Sequence, residues 1–324
     1  FFAGVHDSGA LWASVRNRAK SVGALTGEVV GRRARTVFMI VIFLVLLMVN
    51  AVFGVVIAKL LINNPGAVVP VWGAIAVALV IGQLIYRRII GLGVVSVVGV
   101  IALYSLIYVG PKVPIALPEQ VMGLSASASW ILLLFAYAAI ASLLPVWMLL
   151  QPRDYINGLQ LFVGLILLYG AVLLGTPQVV APMINSDVPA GTPSLLPLLF
   201  VTIACGAISG FHGLVASGTS SKQLDKETDS RFVGYFGAVG EGALALAAII
   251  AATAGFASLA DWQAVYTAFG QGSLTAFVDG GATILAGGTG MDVGVAATLL
   301  TVMAALFAGT TMDTGLRLQR YIFQ

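Results

Sequence analysis

The sequence predicts an all-α polytopic membrane protein, with about eight transmembrane helices and a partial helix at its start. Of its 324 residues, 59% are hydrophobic and only 9% are charged, and the mean hydropathy is +1.02. Soluble domains carry about 25% charged residues, so this chain cannot cover a water-facing surface. The 38 glycines fit a membrane bundle, where small residues let helices approach closely.

Eight apolar segments have nearly the length of about 20 residues that a spanning helix needs. They are residues 37–60, 70–86, 89–109, 129–150, 156–175, 195–217, 232–259 and 293–313. Residues 1–13 resemble the tail of a further helix, and the chain starts at Phe1. We therefore expect one transmembrane domain, residues 1–324, to be a fragment that continues at both ends. Residues 274–290 are Gly-rich and too interrupted for a span, which favours a re-entrant or surface segment.

The basic residues predict an orientation, because Lys and Arg in short loops concentrate on the cytoplasmic side. If the loop at residues 14–36 is cytoplasmic, 14 of the 16 Lys and Arg residues lie on the cytoplasmic side. Only Lys59 and Lys112 then lie on the opposite side. The inside segments are then 14–36, 87–88, 151–155, 218–231 and the C-terminal end. Because the basic residues concentrate in these segments, the net charge of +3 does not indicate nucleic-acid binding. The single Cys205 allows no intrachain disulfide.

The strongest functional signal is the polar, Gly-rich segment 202–223. Each Gly weakens a helix by about 1 kcal/mol relative to Ala, so we expect a broken helix near 206–218. Unwound backbone at membrane depth lines protein or a water-filled cavity, and broken helices form the binding sites of many transporters. The alternative is that the glycines only permit close packing. The candidate pathway residues here are Ser209, His212, Ser217, Thr219 and Ser220, with Ser209 and His212 expected on one helical face.

Glu241 is the first candidate for proton coupling. It lies nine residues after Phe232, so a helix places it roughly 14 Å deep, near the midplane of a ~30 Å core. An ionised carboxylate there costs at least ~2.5 kcal/mol, so Glu241 should be protonated, paired or facing water. Histidine is the side chain most suited to relaying protons at physiological pH, so His212 is the second candidate. The alternative is structural: Glu241 pairs with His212 or an Arg, or His212 only bonds a neighbouring helix.

The segment 309–320 places Thr310, Asp313 and Arg317 on one helical face, with Thr311 beside them. Asp313 and Arg317 are four residues apart and are expected to pair. We interpret the threonines and Asp313 as the lining of a polar cavity. The alternative is an ordinary ion pair at a helix end.

His6 and Asp7 form a further candidate, an imidazole beside a carboxylate just before a basic loop. Adjacent residues point to different faces of a helix, so they need not pair with each other. The alternative is that they only anchor the helix end at the membrane interface.

Together these motifs resemble the carbon starvation protein A family. The resemblance rests on GVHDSGALWASVRNRAKSVG (4–23), TIACGAISGFHGLVASGTSSKQL (202–224), the Gly-Glu-Gly at 240–242 and FAGTTMDTGLRLQRYI (307–322). It implies a bacterial or archaeal inner-membrane transporter that is induced when carbon runs low. It further implies uptake of peptides or, as in close relatives, of pyruvate with protons, and a LeuT-like inverted repeat. The family's earlier Gly- and His-rich helix and its last helices are missing here, so we expect this chain alone to be incomplete for transport.

We therefore expect a secondary active transporter with a small-molecule substrate, protons and the lipid bilayer as partners. A channel or a non-transporting structural subunit remains an alternative, and the coupling ion and oligomeric state stay open. An intramembrane zinc protease needs two His and an acid at helical spacing, and His6 and His212 do not meet it. We expect no enzyme activity, cofactor or metal.

Overall fold

The computed structural model describes residues 2–87, 90–121, 123–207, 209–268 and 272–323, and it is almost entirely helical. The helices are α1 (Phe2–Arg16), α2 (Val22–Val29), α3 (Arg32–Asn63), α4 (Val68–Tyr86), α5 (Leu92–Val109), α6 (Ala126–Leu143), α7 (Leu150–Gly175), α8 (Leu195–Ala207), α9 (Gly210–Gly218), α10 (Asp229–Ala254), α11 (Leu259–Val265), α12 (Ser273–Thr275), α13 (Gly281–Thr289) and α14 (Val293–Phe323). Strands β1 (Gln120–Val121) and β2 (Leu124–Ser125) pair antiparallel before α6. The predicted all-α class is confirmed.

Within the described residues, seven helices are long and apolar enough to cross a membrane: α3, α4, α5, α6, α7, α10 and α14. Large apolar side chains remain exposed on them, such as Leu173 at 78% and Ile101 at 60%. Exposed apolar surface of this extent is unfavourable in water and favourable in hydrocarbon. The chain is therefore a multi-pass membrane protein.

The sixth predicted span, residues 195–217, is broken into two short helices. Helix α8 ends at Ala207 and α9 begins at Gly210, and Ser209 between them is extended with φ −62° and ψ 121°. The expected break is confirmed. The expectation that Ser209 and His212 share a helical face is wrong, because Ser209 precedes the helix. The Cys205 side chain and Arg88, named above, lie outside the part of the chain that is described.

The boundary between α6 and α7 differs from the prediction. Residues 151–155 are the first turns of α7, not a loop, and α6 ends at Leu143. The cause is Pro145, which disfavours helical backbone at the preceding residue; Leu144 is extended, with φ −68° and ψ 149°. Pro152 is tolerated because it lies in the first turn of α7. The predicted 14–36 loop also differs, because it contains α2 and the start of α3.

Residues 273–289 are helical as well. Helix α12 continues through a π-helical turn, Ala276–Gly280, into α13, which packs against α7. Ala276 and Leu285 are fully buried, so a surface segment is excluded for this stretch. A re-entrant position in the membrane stays a prediction.

The chain forms two compact units. The first consists of residues 1–49, 191–245 and 314–324, and the second of residues 50–190 and 246–313. The first has a small core of Ile42, Leu46 and Leu318, against which Phe211 and Val215 of α9 pack. The predicted single transmembrane domain stays a prediction.

The contact between α13 and α7 generates a test of small-residue packing. A Cβ on Gly288 would lie against the backbone of Ala171 more closely than real Cβ atoms approach, whereas a Cβ on Gly287 would meet nothing within 4 Å. We expect Gly288→Ala to cost about 1–3 kcal/mol, because the backbone must shift. Thermal unfolding in detergent checks this.

The matched control is Gly287→Ala on the same helix. It adds the same methyl group and raises helix propensity, so the melting temperature should stay equal or rise. Equal losses of stability in both variants would contradict close packing at Gly288.

Candidate functional site

Three titratable side chains from three helices meet in the first compact unit. The His212 Nδ1 of α9 lies 3.3 Å from the Asp7 Oδ2 of α1 and 3.7 Å from the Glu241 Oε2 of α10. The side chains of His212 and Glu241 are 35% and 38% exposed. The cluster is therefore neither sealed in a core nor fully open to the surroundings.

His6 extends this cluster through Asp7. Its Nδ1 and the Asp7 Oδ1 are 2.7 Å apart and share a hydrogen bond. Asp7 thus contacts one imidazole with each carboxylate oxygen, His6 with one and His212 with the other. The structure brings together four of the predicted site residues, which lie up to about 235 positions apart in the chain.

Glycines position the three helices. An added Cβ on Gly213 would lie 3.2 Å from the His6 Cε1, so α9 approaches α1 at the cluster itself. On the other side of α1, a Cβ on Gly4 would lie 2.9 Å from the ring of Tyr235, and one on Gly234 would lie 2.9 Å from the Ser8 Cα. Small residues let membrane helices pack at this distance. The Gly-rich sequence around His212 therefore serves close packing as well as the helix break.

The hydroxyl residues of the same segment have other partners. Ser217 is fully buried; its Oγ accepts from the Val22 N–H at 3.2 Å, and its carbonyl accepts from the Ser14 Oγ at 3.0 Å. Thr219 is 8% exposed, and Ser220 begins a short 3₁₀ turn. Ser209 offers its carbonyl to the His212 N–H at 3.1 Å. Ser217 therefore ties α9 to α1 and α2.

The second compact unit contains a buried ion pair. The Arg153 Nη1 of α7 bonds the Asp313 Oδ2 of α14 and the Tyr137 hydroxyl of α6, and the Tyr137 hydroxyl lies 3.0 Å from the same Asp313 oxygen. The side chains of Arg153 and Asp313 are 3% and 2% exposed. Removing charges this far from water is costly unless they pair. This pairing therefore supports a structural role for Asp313.

The predicted cavity lining at Thr310 and Thr311 has a simpler explanation. Both hydroxyls donate to the Phe307 carbonyl of their own helix, at 2.8 and 3.1 Å. Threonine satisfies its hydroxyl in this way within membrane helices.

The prediction missed Arg153 and Tyr137. Arg153 was assigned to a cytoplasmic loop, but it is buried in a helix, and so is Arg317 at 3% exposure. The sequence contained a signal for a buried polar helix face. Polar residues recur there at helical spacing, at Arg153, Asn157 and Gln160. All three are buried in α7.

The cluster of Asp7, His212 and Glu241 places an imidazole between two carboxylates. Imidazole and carboxyl groups exchange protons in proteins, so this arrangement has the chemistry of a candidate proton site. Among the described residues, the same three side chains are also the one group spaced closely enough to ligate a metal ion. The sequence gives no metal-binding pattern to match this spacing.

A bundle of spanning-type helices with a titratable cluster at a broken helix defines a polytopic membrane protein. The chain belongs to the family described as Carbon starvation protein CstA, whose profile matches residues 1–261. This confirms the predicted family. The predicted LeuT-like repeat stays a prediction, and no solved structure matches the chain.

Named relatives support this assignment. The chain is 35% identical to the peptide transporter CstA of Campylobacter jejuni over 258 residues, 76% of this chain and 36% of the relative. It is 35% identical to the pyruvate/proton symporter BtsT of Escherichia coli over 262 residues, 77% of this chain and 36% of the relative. With the peptide transporter CstA of Bacillus subtilis it shares 33% identity over 254 residues, 77% of this chain and 42% of the relative. The chain thus spans well under half the length of these relatives, all named as transporters.

The buried pair predicts a large loss of stability in Asp313→Asn. This change leaves the Arg153 charge buried without a carboxylate, which costs about 3–5 kcal/mol. Thermal unfolding in detergent should therefore show a clearly lower melting temperature.

Glu227→Gln is the comparison, because it breaks an ion pair with Arg16 whose side chains are 59% and 46% exposed. Exposed pairs contribute about 1 kcal/mol or less, so its melting temperature should hardly move. Similar shifts in the two variants would mean that the Arg153–Asp313 pair contributes no special stability.

Proposed function

We propose that this chain is part of a proton-coupled secondary transporter that takes up a small carboxylate such as pyruvate, or peptides. The observation that carries the proposal is the cluster of Asp7, His212 and Glu241 beside a broken helix. A purely structural membrane subunit has no need for three partly exposed titratable groups around the spanning helix α10. Such groups are costly in a membrane unless they serve a pathway.

Glu241 and His212 are the proton carriers in this proposal. Glu241 lies within the spanning helix α10, and the His212 Nδ1 is 3.7 Å from its carboxylate. The imidazole lies between the Glu241 carboxylate on one side and the Asp7 carboxylate on the other, so a proton has neighbouring groups to pass between. When Glu241 takes the proton, its negative charge is lost and its attraction for His212 weakens. Loading and release of one proton thereby change how strongly α9 is held to α10.

The start of α9 is the proposed place for a substrate carboxylate. An α-helix leaves its first N–H groups without partners inside the helix, and its N-terminus carries partial positive charge. Helix α9 starts at Gly210, only two residues before His212. The named relatives support an anionic or zwitterionic substrate, because one is a pyruvate symporter and the others are peptide transporters.

The location is proposed as the cytoplasmic membrane of a bacterium or archaeon, with the basic loops on the inside. The named relatives come from bacteria. Most of the basic residues still support this orientation after Arg153 and Arg317 are removed as buried helical residues.

Glu241→Gln tests the coupling role. In proteoliposomes that contain the whole protein, the variant should lose proton-driven accumulation of its substrate, because a carboxamide cannot carry the proton. Counterflow exchange should persist, since it needs no net proton movement. Radiolabelled pyruvate and a labelled dipeptide are the substrates to compare.

Glu119→Gln is the matched control, because Glu119 is an exposed acid on the segment before α6. It should transport like the unchanged protein. Normal proton-driven uptake by Glu241→Gln would end the assignment of Glu241. An unchanged protein that shows no counterflow at all would indicate a channel instead of a carrier.

A further inference from the structure

The second compact unit contains a pocket that is separate from the Arg153–Asp313 ion pair. The cluster of Asp7, His212 and Glu241 does not line it either. It has a volume of about 310 Å³ and lies where the end of α3, the π-helical turn and α14 meet. Five of its lining residues carry side-chain oxygens: Asn63, Asn64, Thr275, Asp279 and Thr301. The pocket is large enough for an ion together with several water molecules.

Asp279 supplies the pocket's negative charge. It lies in the π-helical turn, Ala276–Gly280, and π-helical turns occur frequently at functional sites. Among the residues that the structure describes, none forms a hydrogen bond or ion pair with its carboxylate. The Asp279 backbone carbonyl accepts a hydrogen bond from the Thr283 hydroxyl at 2.9 Å. No Lys or Arg side chain of the described ranges lines the pocket, so the Asp279 carboxylate is available to bind a cation.

The neutral oxygens of the pocket are partly fixed in place. The Asn64 Nδ2 donates to the Thr301 Oγ1 at 3.1 Å. This bond uses the amide nitrogen, so it leaves the Asn64 carbonyl oxygen as an acceptor. Thr301 is fully buried, which holds the pair rigidly.

The end of α3 adds partial negative charge. Helix α3 ends at Asn63, and the last carbonyls of a helix have no partner inside it. Pro65 follows four residues after Leu61 and has no N–H to offer the Leu61 carbonyl. Helix C-termini favour cations for this reason.

From these groups we infer that the pocket binds a hard monovalent cation, with Na⁺ as the ion that fits. All its donors are oxygens, which suit hard cations and not transition metals. It contains one carboxylate, and one negative charge balances a monovalent ion. Calcium sites usually gather several carboxylates. The inference does not depend on the transport proposal, because binding can be measured without transport.

Equilibrium binding of ²²Na⁺ to the whole protein in detergent tests the inference. The unchanged protein should bind one ion saturably, and unlabelled Na⁺ should compete better than K⁺ or Ca²⁺. Asp279→Asn should weaken binding at least tenfold, because it removes the one charged ligand. Thr275→Val removes a hydroxyl group at nearly constant shape and should weaken ²²Na⁺ binding severalfold. This second variant provides the test if Asp279→Asn does not fold.

The matched control is Asp187→Asn, which removes the same charge from an exposed position outside the helices. It should bind ²²Na⁺ like the unchanged protein. The inference is overturned by an unchanged protein without saturable binding, by Ca²⁺ competing better than Na⁺, or by folded Asp279→Asn and Thr275→Val variants that bind normally.

Discussion

Hydrocarbon offers polar groups neither hydrogen bonds nor solvation of charge, and the arrangement of this protein depends on that constraint. Its acids meet the constraint in two opposite ways. Asp313 is buried with Arg153 as a dry ion pair, which suits a permanent contact. Asp7 and Glu241 instead share the half-exposed His212, which suits groups whose charge changes. Exposure, and not the mere presence of carboxylates, separates the structural pair from the proposed pathway.

Glycine links the sequence to both arrangements. Helix packing in a membrane gains little from the hydrophobic effect, so close contact between backbones contributes more. Gly213 and Gly234 bring α9 and α10 against α1, and that approach assembles the cluster of Asp7, His212 and Glu241. Glycine also disfavours continuous helix, which allows the chain to be extended at Ser209. Glycine therefore contributes to the helix break at one set of positions and to the packing of the site at another.

The class, most spans and the break before Gly210 could be predicted from the sequence, because each has a local signal. The contact of Glu241 with His212 was one of several alternatives there, because the two residues lie on different helices. Composition predicts the class, glycine predicts the break, and a lone acid in an apolar run marks a candidate site. The partner of Asp313 could not be read, because Arg153 lies 160 residues away and a nearer Arg317 offered a plausible pair. The end of α6 was misplaced because apolar residues continue past Leu144, where Pro145 had already ended the helix. The buried bonds of Ser217 likewise depend on α1 and α2, which helical spacing alone does not place.

The most direct test of this account is whether water reaches the broken helix from within the membrane. Cys205 is replaced by Ala, and single cysteines are introduced as Ser209→Cys and, on the exposed apolar surface of α10, Leu246→Cys. A membrane-impermeant thiol reagent reacts with the thiolate, which forms only where water is present. The account predicts rapid labelling of S209C and none of L246C in intact membranes. An S209C protein as inert as L246C would contradict it, because the polar cluster would then adjoin no hydrated pathway.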